Sequence, residues 1–180
     1  MAHSYSWDQQ WQWSRSSTVD AAVRRKLMDL IPGATAVLSG SERDDKCGVD
    51  YWVRLRDNRW IGVDVKSRSR DYRQDGKDDL ALEIWSIEEA QKIGWTRDPN
   101  KQCRYVMWYW VDTGRVCLID FLQLCAVFSQ ELDRWQREYP VHRQLTPDRG
   151  YHSTCIIVPT KEIWMAVGKR FMSLEFDPWE

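Results

Sequence analysis

The segment WIGVDVKSRSR, residues 60–70, constrains this chain more than any other stretch. Trp60, Ile61, Val63 and Val65 form an apolar, β-branched run that suits a strand burying at least one face. Alternate side chains of a strand share a face, so Asp64 and Lys66 stand on one side and Val63 and Val65 on the other. GVDYWVRL, residues 48–55, has the same character, and Asp57-Asn58-Arg59 between the two runs reads as a turn. The pair predicts a β-hairpin, with Asp50 sharing a face with Trp52 and Arg54. In an ideal register drawn from these limits Asp50 and Asp64 are not strictly opposite. A twist or bulge would be needed to bring the carboxylates together.

The remainder reads as alternating helices and strands. Val19, Ala22, Val23, Leu27, Leu30 and Ile31 have helical spacing, with Ser16, Ser17 and Thr18 as candidate caps and Pro32-Gly33 as the stop. Strands are expected at 34–40, 80–86, 104–112, 115–120 and 153–160, and helices at 86–94, 121–139 and 161–171. Residues 41–47 and 140–152 are expected to be loops. The helix at 86–94 rests on Ser86 as cap, Glu89 at the capping-box position and Gly94 as stop. This order predicts an α/β fold with a mixed sheet flanked by helices.

At 180 residues the chain suits one domain, expected over 16–180, after a Trp-rich extension at 1–15. Trp7, Trp11 and Trp13 there fit a docked tail and a surface for a protein partner equally well. A net charge of -1 gives no global attraction to nucleic acid, so any anion-binding surface must be local. Five scattered cysteines without a CxxC pair argue for free thiols in a reducing cytoplasm, against a zinc knuckle or a disulfide framework. The opening MAHSYSWDQQWQW lacks a secretory pattern, and no segment has the length to span a bilayer. His3, His142 and His152 show no ligand spacing, and no Gly-rich phosphate loop occurs.

Two carboxylates and an ammonium on one partly apolar sheet face repel or neutralise one another unless a cation intervenes. Mg²⁺ resolves the conflict: it takes one or two carboxylates, keeps waters and accepts phosphate oxygens. It lowers the pKa of a bound water, which Lys66 could orient, and this is the chemistry of phosphodiester hydrolysis. A bare (D/E)-x-K is a weak signal, and the chain holds three, ending at Lys46, Lys66 and Lys77. Only the middle one ends an apolar strand with an acid on the partner strand.

GVDYWVRL followed by WIGVDVKS, after a helix and a strand, resembles the PD-(D/E)XK nuclease superfamily, particularly its resolvase-like and phage-encoded members. The resemblance covers about residues 16–120. It implies a restriction-endonuclease-like sheet, to which this chain would add a C-terminal strand and helix, and a Mg²⁺-dependent DNA endonuclease, with Mn²⁺ as an alternative ion. Asp50 and Asp64 would hold the metal, with the Val65 carbonyl as a further ligand, and Lys66 would position water. LALEIWS followed by KIGW is similar to phage-type members and makes Glu83 an auxiliary acid; the sheet's polar edge is an equal reading for it. Departures are the absence of a clear acid on the first helix, where Asp20 and Asp29 are candidates, and of a Gln-x-x-x-Tyr element after the lysine. Cys103-Arg104 also stands where an acid often precedes the next strand.

Arg68, Arg70, Tyr72 and Arg73 would contact DNA, the arginines at phosphates and Tyr72 by stacking. Taken alone, the same stretch reads as a solvated loop countered by Asp71, Asp75, Asp78 and Asp79. A homodimer would suit duplex cutting. The implied setting is a bacterial or phage-infected cytoplasm. The rival expectation is a non-catalytic binder of a host protein or nucleic acid, with the Asp64–Lys66 pair as a simple ion pair.

Overall fold

Val19, Val23 and Leu27 recur every four residues and bury one stripe of the first helix, α1 (Ser17–Leu30). Pro32 ends it, and Gly33 follows with φ +78°, the left-handed stop a residue without Cβ takes most easily. The computed structural model describes residues 17–98, 100–146 and 149–175, with side chains through 170. The Trp-rich 1–15 segment lies outside the described residues.

The chain continues through β1 (Ala34–Ser39), the short helix α2 (Glu42–Lys46), β2 (Tyr51–Leu55) and β3 (Trp60–Arg68). Then come β4 (Asp79–Ile87), β5 (Lys92–Ile93), β6 (Cys103–Trp110) and β7 (Val116–Asp120). α3 (Phe121–Glu138), β8 (Val141–Thr146), β9 (Tyr151–Pro159) and α4 (Thr160–Glu175) complete it. The protein is α/β, and its described strands form two sheets instead of the one expected: β1-β2-β3-β6-β7, which is mixed, and β5-β4-β9-β8, which is antiparallel. The expected C-terminal strand and helix are β9 and α4.

The described residues cluster into two compact units. The first runs through Asp71 and resumes at Asn100–Asp120; the second holds Tyr72 onward through 98 and the chain from Phe121. The stretch expected as one domain, 16–180, contributes to both units.

In the first unit, β1, β2 and β3 form an antiparallel meander and β6 lies parallel to β3. One face of this sheet, carrying Tyr51, Val53, Val63, Met107 and Tyr109, packs with Val19, Val23, Leu27 and Ile31 into a buried cluster. Each such aliphatic side chain contributes roughly 1.5–3 kcal/mol by leaving water. α2 replaces the expected loop because Ser41 and Asp44 form a reciprocal capping box.

In the second unit the expected helix at 86–94 is absent: β4 runs through Ile87 and β5 folds back on it. Tertiary partners override the local cap. The Glu88 carboxylate accepts from Arg143 Nε and Thr154 Oγ1, each at 2.7 Å, and its N–H donates to the His152 carbonyl. Glu89 accepts the His152 N–H at 2.9 Å, and contacts with His152 hold its carboxyl at about 2. A nine-residue segment has little helical stability of its own to set against these bonds. Residues 141–146, expected in a loop, form β8 on β9. β8 is an edge strand exposed along nearly its whole length, so it carries no apolar alternation to read. α3 buries Phe121, Leu124, Cys125, Val127, Phe128 and Trp135 on one stripe. No described helix is long and apolar enough to cross a membrane. All five cysteines are free thiols, with Cys103, Cys117 and Cys125 buried.

Candidate active site

The β2–β3 hairpin closes on three residues. The Leu55 N–H donates to the Arg59 carbonyl at 2.8 Å, the Asn58 N–H returns to the Leu55 carbonyl, and Asn58 takes φ 66°. Asp57 Oδ1 accepts the Arg59 N–H at 3.1 Å and stiffens the bend. An odd loop changes the parity of the pairing. Arg54 faces Trp60, Trp52 faces Gly62, and Tyr51 faces Val63. Tyr51 with Val63 is the last regular pair of the ladder, and Asp50 and Asp64 lie just beyond it.

The ladder deflects at Asp50. Its N–H donates to the Val63 carbonyl at 3.0 Å, and its carbonyl accepts the Gly40 N–H at 2.7 Å. Its carboxylate Oδ2 accepts the Val65 N–H at 2.7 Å. Within a strand the N–H and C=O of one residue leave on the same side, so the Val65 carbonyl also faces the edge where β2 stops. Gly62 permits the close packing of this corner: a Cβ there would sit 2.7 Å from Val49 Cγ2.

Asp64 is 3% exposed. Its Oδ1 lies 2.8 Å from Lys66 Nζ, while its Oδ2 is buried with no hydrogen-bond partner. Burial, and then the Asp64 charge, push the Asp50 carboxyl up to about 7, against the opposing pull of Lys66 and the Val65 N–H. Both acids and the lysine line a cavity of about 540 Å³ within the first unit. Its wall also includes Asp20, Asp45, Gly48, Tyr51 and Lys101.

Asp20 is the first-helix acid that the sequence did not single out over Asp29. It pairs with Arg24 Nε at 2.7 Å and accepts the Tyr51 hydroxyl at 2.9 Å. Lys101 had no sequence signal, since it precedes β6 in a polar stretch. Glu83 belongs to the second unit, on β4, where Oε2 accepts the Trp95 N–H at 2.9 Å and the Glu83 N–H donates to Thr96 Oγ1. Arg68 and Arg70 are exposed after the end of the β3 core, and Tyr72 and Arg73 are exposed in the second unit. Arg73 Nε stands 3.6 Å from Asp78 Oδ2.

Asp71, expected as a solvated counter-charge, is 5% exposed. Arg115 grips it with two nitrogens at 2.6 and 2.9 Å, Thr113 Oγ1 donates to it, and the Arg115 guanidinium stacks 3.5 Å from the Trp110 ring centroid.

Among the described residues no group of three or more His, Cys, Asp or Glu side chains could hold a metal ion. Two carboxylates and a backbone carbonyl are still a fitting set for Mg²⁺, which binds through one or two carboxylates and keeps water and substrate oxygens. The buried, hydrogen-bond-free Asp64 Oδ2 is the atom that most needs such a cation. The chain matches no family model, and no curated protein or solved structure matches it.

Proposed function

We propose that this protein is a divalent-metal-dependent DNA endonuclease of the PD-(D/E)XK type, with a restriction-endonuclease-like first unit and an origin in a phage or mobile element. The observation that carries the reading is the cross-strand pair Asp50–Asp64 with Lys66 at 2.8 Å from Asp64, all lining one cavity. The order helix, strand, acid-bearing strand, turn and D-x-K strand supports it.

Asp50, Asp64 and the Val65 carbonyl would hold Mg²⁺ or Mn²⁺. When bound, the ion supplies a water of lowered pKa and charge neutralisation at the phosphate. Lys66 orients the attacking water and offsets charge on the phosphate, and its bond to Asp64 holds the ammonium in place. The Val65 N–H fixes the rotamer of Asp50. The low-dielectric wall around Asp64 strengthens each of these interactions.

Plasmid cleavage in Mg²⁺ by the parent, Asp64→Ala and Lys66→Ala tests the reading. Nicking by the parent and its loss in both variants is the expected result; variants that cut as fast as the parent overturn it. The second reading is a nuclease-fold protein that binds a host protein or nucleic acid without cutting. It is favoured by the Asp64–Lys66 ion pair and by the lack of a three-residue metal cluster among the described residues. A melting temperature indifferent to Mg²⁺ and Mn²⁺ would choose it.

A further inference from the structure

Lys66 and Lys101 are both ammonium-bearing residues of the cavity wall, and they are held differently. Lys66 is committed to Asp64 at 2.8 Å. Lys101 has no ion pair among the described residues and is only partly exposed. Its position is built. The Gln102 N–H donates to the Cys47 carbonyl at 2.9 Å and pins the segment to the 47–48 turn. Gly48, at φ +78°, leaves a bay for the lysine stem: a Cβ there would lie 2.6 Å from Lys101 Cδ and 2.9 Å from Nζ. A side chain at 48 would force the lysine stem to shift.

The cavity wall also carries Asp20, Asp45, Asp50 and Asp64, an excess of acid that repels a polyanion. A nucleic acid entering it needs a cation that is not already bonded to one of those acids. We propose that Lys101 is a substrate-binding residue that contacts a non-bridging phosphate oxygen of the DNA strand in this cavity. The proposal rests on the nuclease reading for its substrate. Lys101 sets affinity and position of the backbone, and Lys66 serves the attacking water.

The test is anisotropy of a short labelled DNA duplex, with Ca²⁺ in place of Mg²⁺, against the full chain and its Lys101→Ala and Lys101→Arg variants. Cleavage in Mg²⁺ is measured in parallel. Lys101→Ala is expected to weaken binding roughly tenfold, to reduce the salt slope by about 1, and to raise KM more than it lowers kcat. Lys101→Arg keeps most of the affinity, and melting temperatures stay level. Replacing phosphates singly by neutral methylphosphonates should find one position that weakens the parent and leaves Lys101→Ala indifferent.

Equal affinity and cleavage in parent and Lys101→Ala overturn the proposal while the nuclease reading stands. A parent that binds but never cuts, with the Lys101 effect present, upholds the contact and removes the hydrolysis. A parent that does neither overturns both.

Discussion

Asp64 and Asp71 are two buried aspartates of one unit, 3% and 5% exposed, and they are treated in opposite ways. Asp71 is saturated: Arg115 binds it bidentately, Thr113 adds a hydrogen bond, and its own N–H donates to Asp112 at 3.0 Å. Asp64 keeps one oxygen on Lys66 and turns the other, without a hydrogen bond, into a corner shared with Asp50. The comparison separates a carboxylate that holds structure from one with coordination capacity to spare. Buried carboxylate oxygens are nearly always satisfied, so of these two aspartates Asp64 is the functional candidate. Trp108 Nε1 and Trp135 Nε1 also lack a hydrogen bond but are donors that cannot bind a cation.

The largest expected effect separates the two in activity. Asp64→Asn should lower Mg²⁺-dependent cleavage by at least about a hundredfold, the scale of losing a positioned catalytic group, and leave the urea midpoint near the parent's. Asp71→Asn should do the reverse. Arg115, with a side chain 18% exposed, would lose the Asp71 charge, and the loss in urea unfolding should reach about 3–5 kcal/mol. Equal stability losses in both variants would erase the distinction.

The next effect concerns pH. Asp50 titrates near 7 in the folded chain against an ordinary 3.8. Between those values the folded state retains a proton that the unfolded state has released. Stability without metal therefore falls as pH rises from about 4 to about 7 and then levels off on this account. Asp50→Asn should flatten that decline and melt above the parent at pH 8. Saturating Mg²⁺ should raise the parent's melting temperature at pH 8 more than at pH 5, because the ion competes with the Asp50 proton. A stability curve that climbs across this range would contradict the carboxylate pairing.

The smallest effect tests Glu83. Its carboxylate accepts the Trp95 N–H at 2.9 Å, so Glu83→Gln should cost about 1 kcal/mol in unfolding and leave cleavage within about twofold. A hundredfold loss of cleavage would restore Glu83 to the chemistry.

How much of the site was legible depended on the range of the interaction. Alternation in WIGVDVKS put Asp64 and Lys66 on one face, and they are bonded. Asp50 was identifiable because its strand has the same period. Its approach to Asp64 was not, since the ladder leaves regular register at Asp50, whose N–H donates to the Val63 carbonyl. The Gln102–Cys47 bond helps bring Lys101 to Gly48, and no local pattern announces a contact between residues 48 and 101. The 86–94 segment misled for the converse reason. Its capping signals are real local chemistry, but Arg143, His152 and Thr154 offer Glu88 and Glu89 stronger partners from strands far along the chain.

Residue order alone determined the amphipathic stripe of α1, the faces of β2 and β3, and the types of group available for chemistry. These follow from the 3.6- and 2-residue periods of the backbone. Tertiary structure decided which groups meet: Asp50 with Asp64, Lys101 with the bay at Gly48, Asp71 with Arg115. Such meetings depend on strand register, loop parity and desolvation, quantities that exist only once distant segments pack and exclude water.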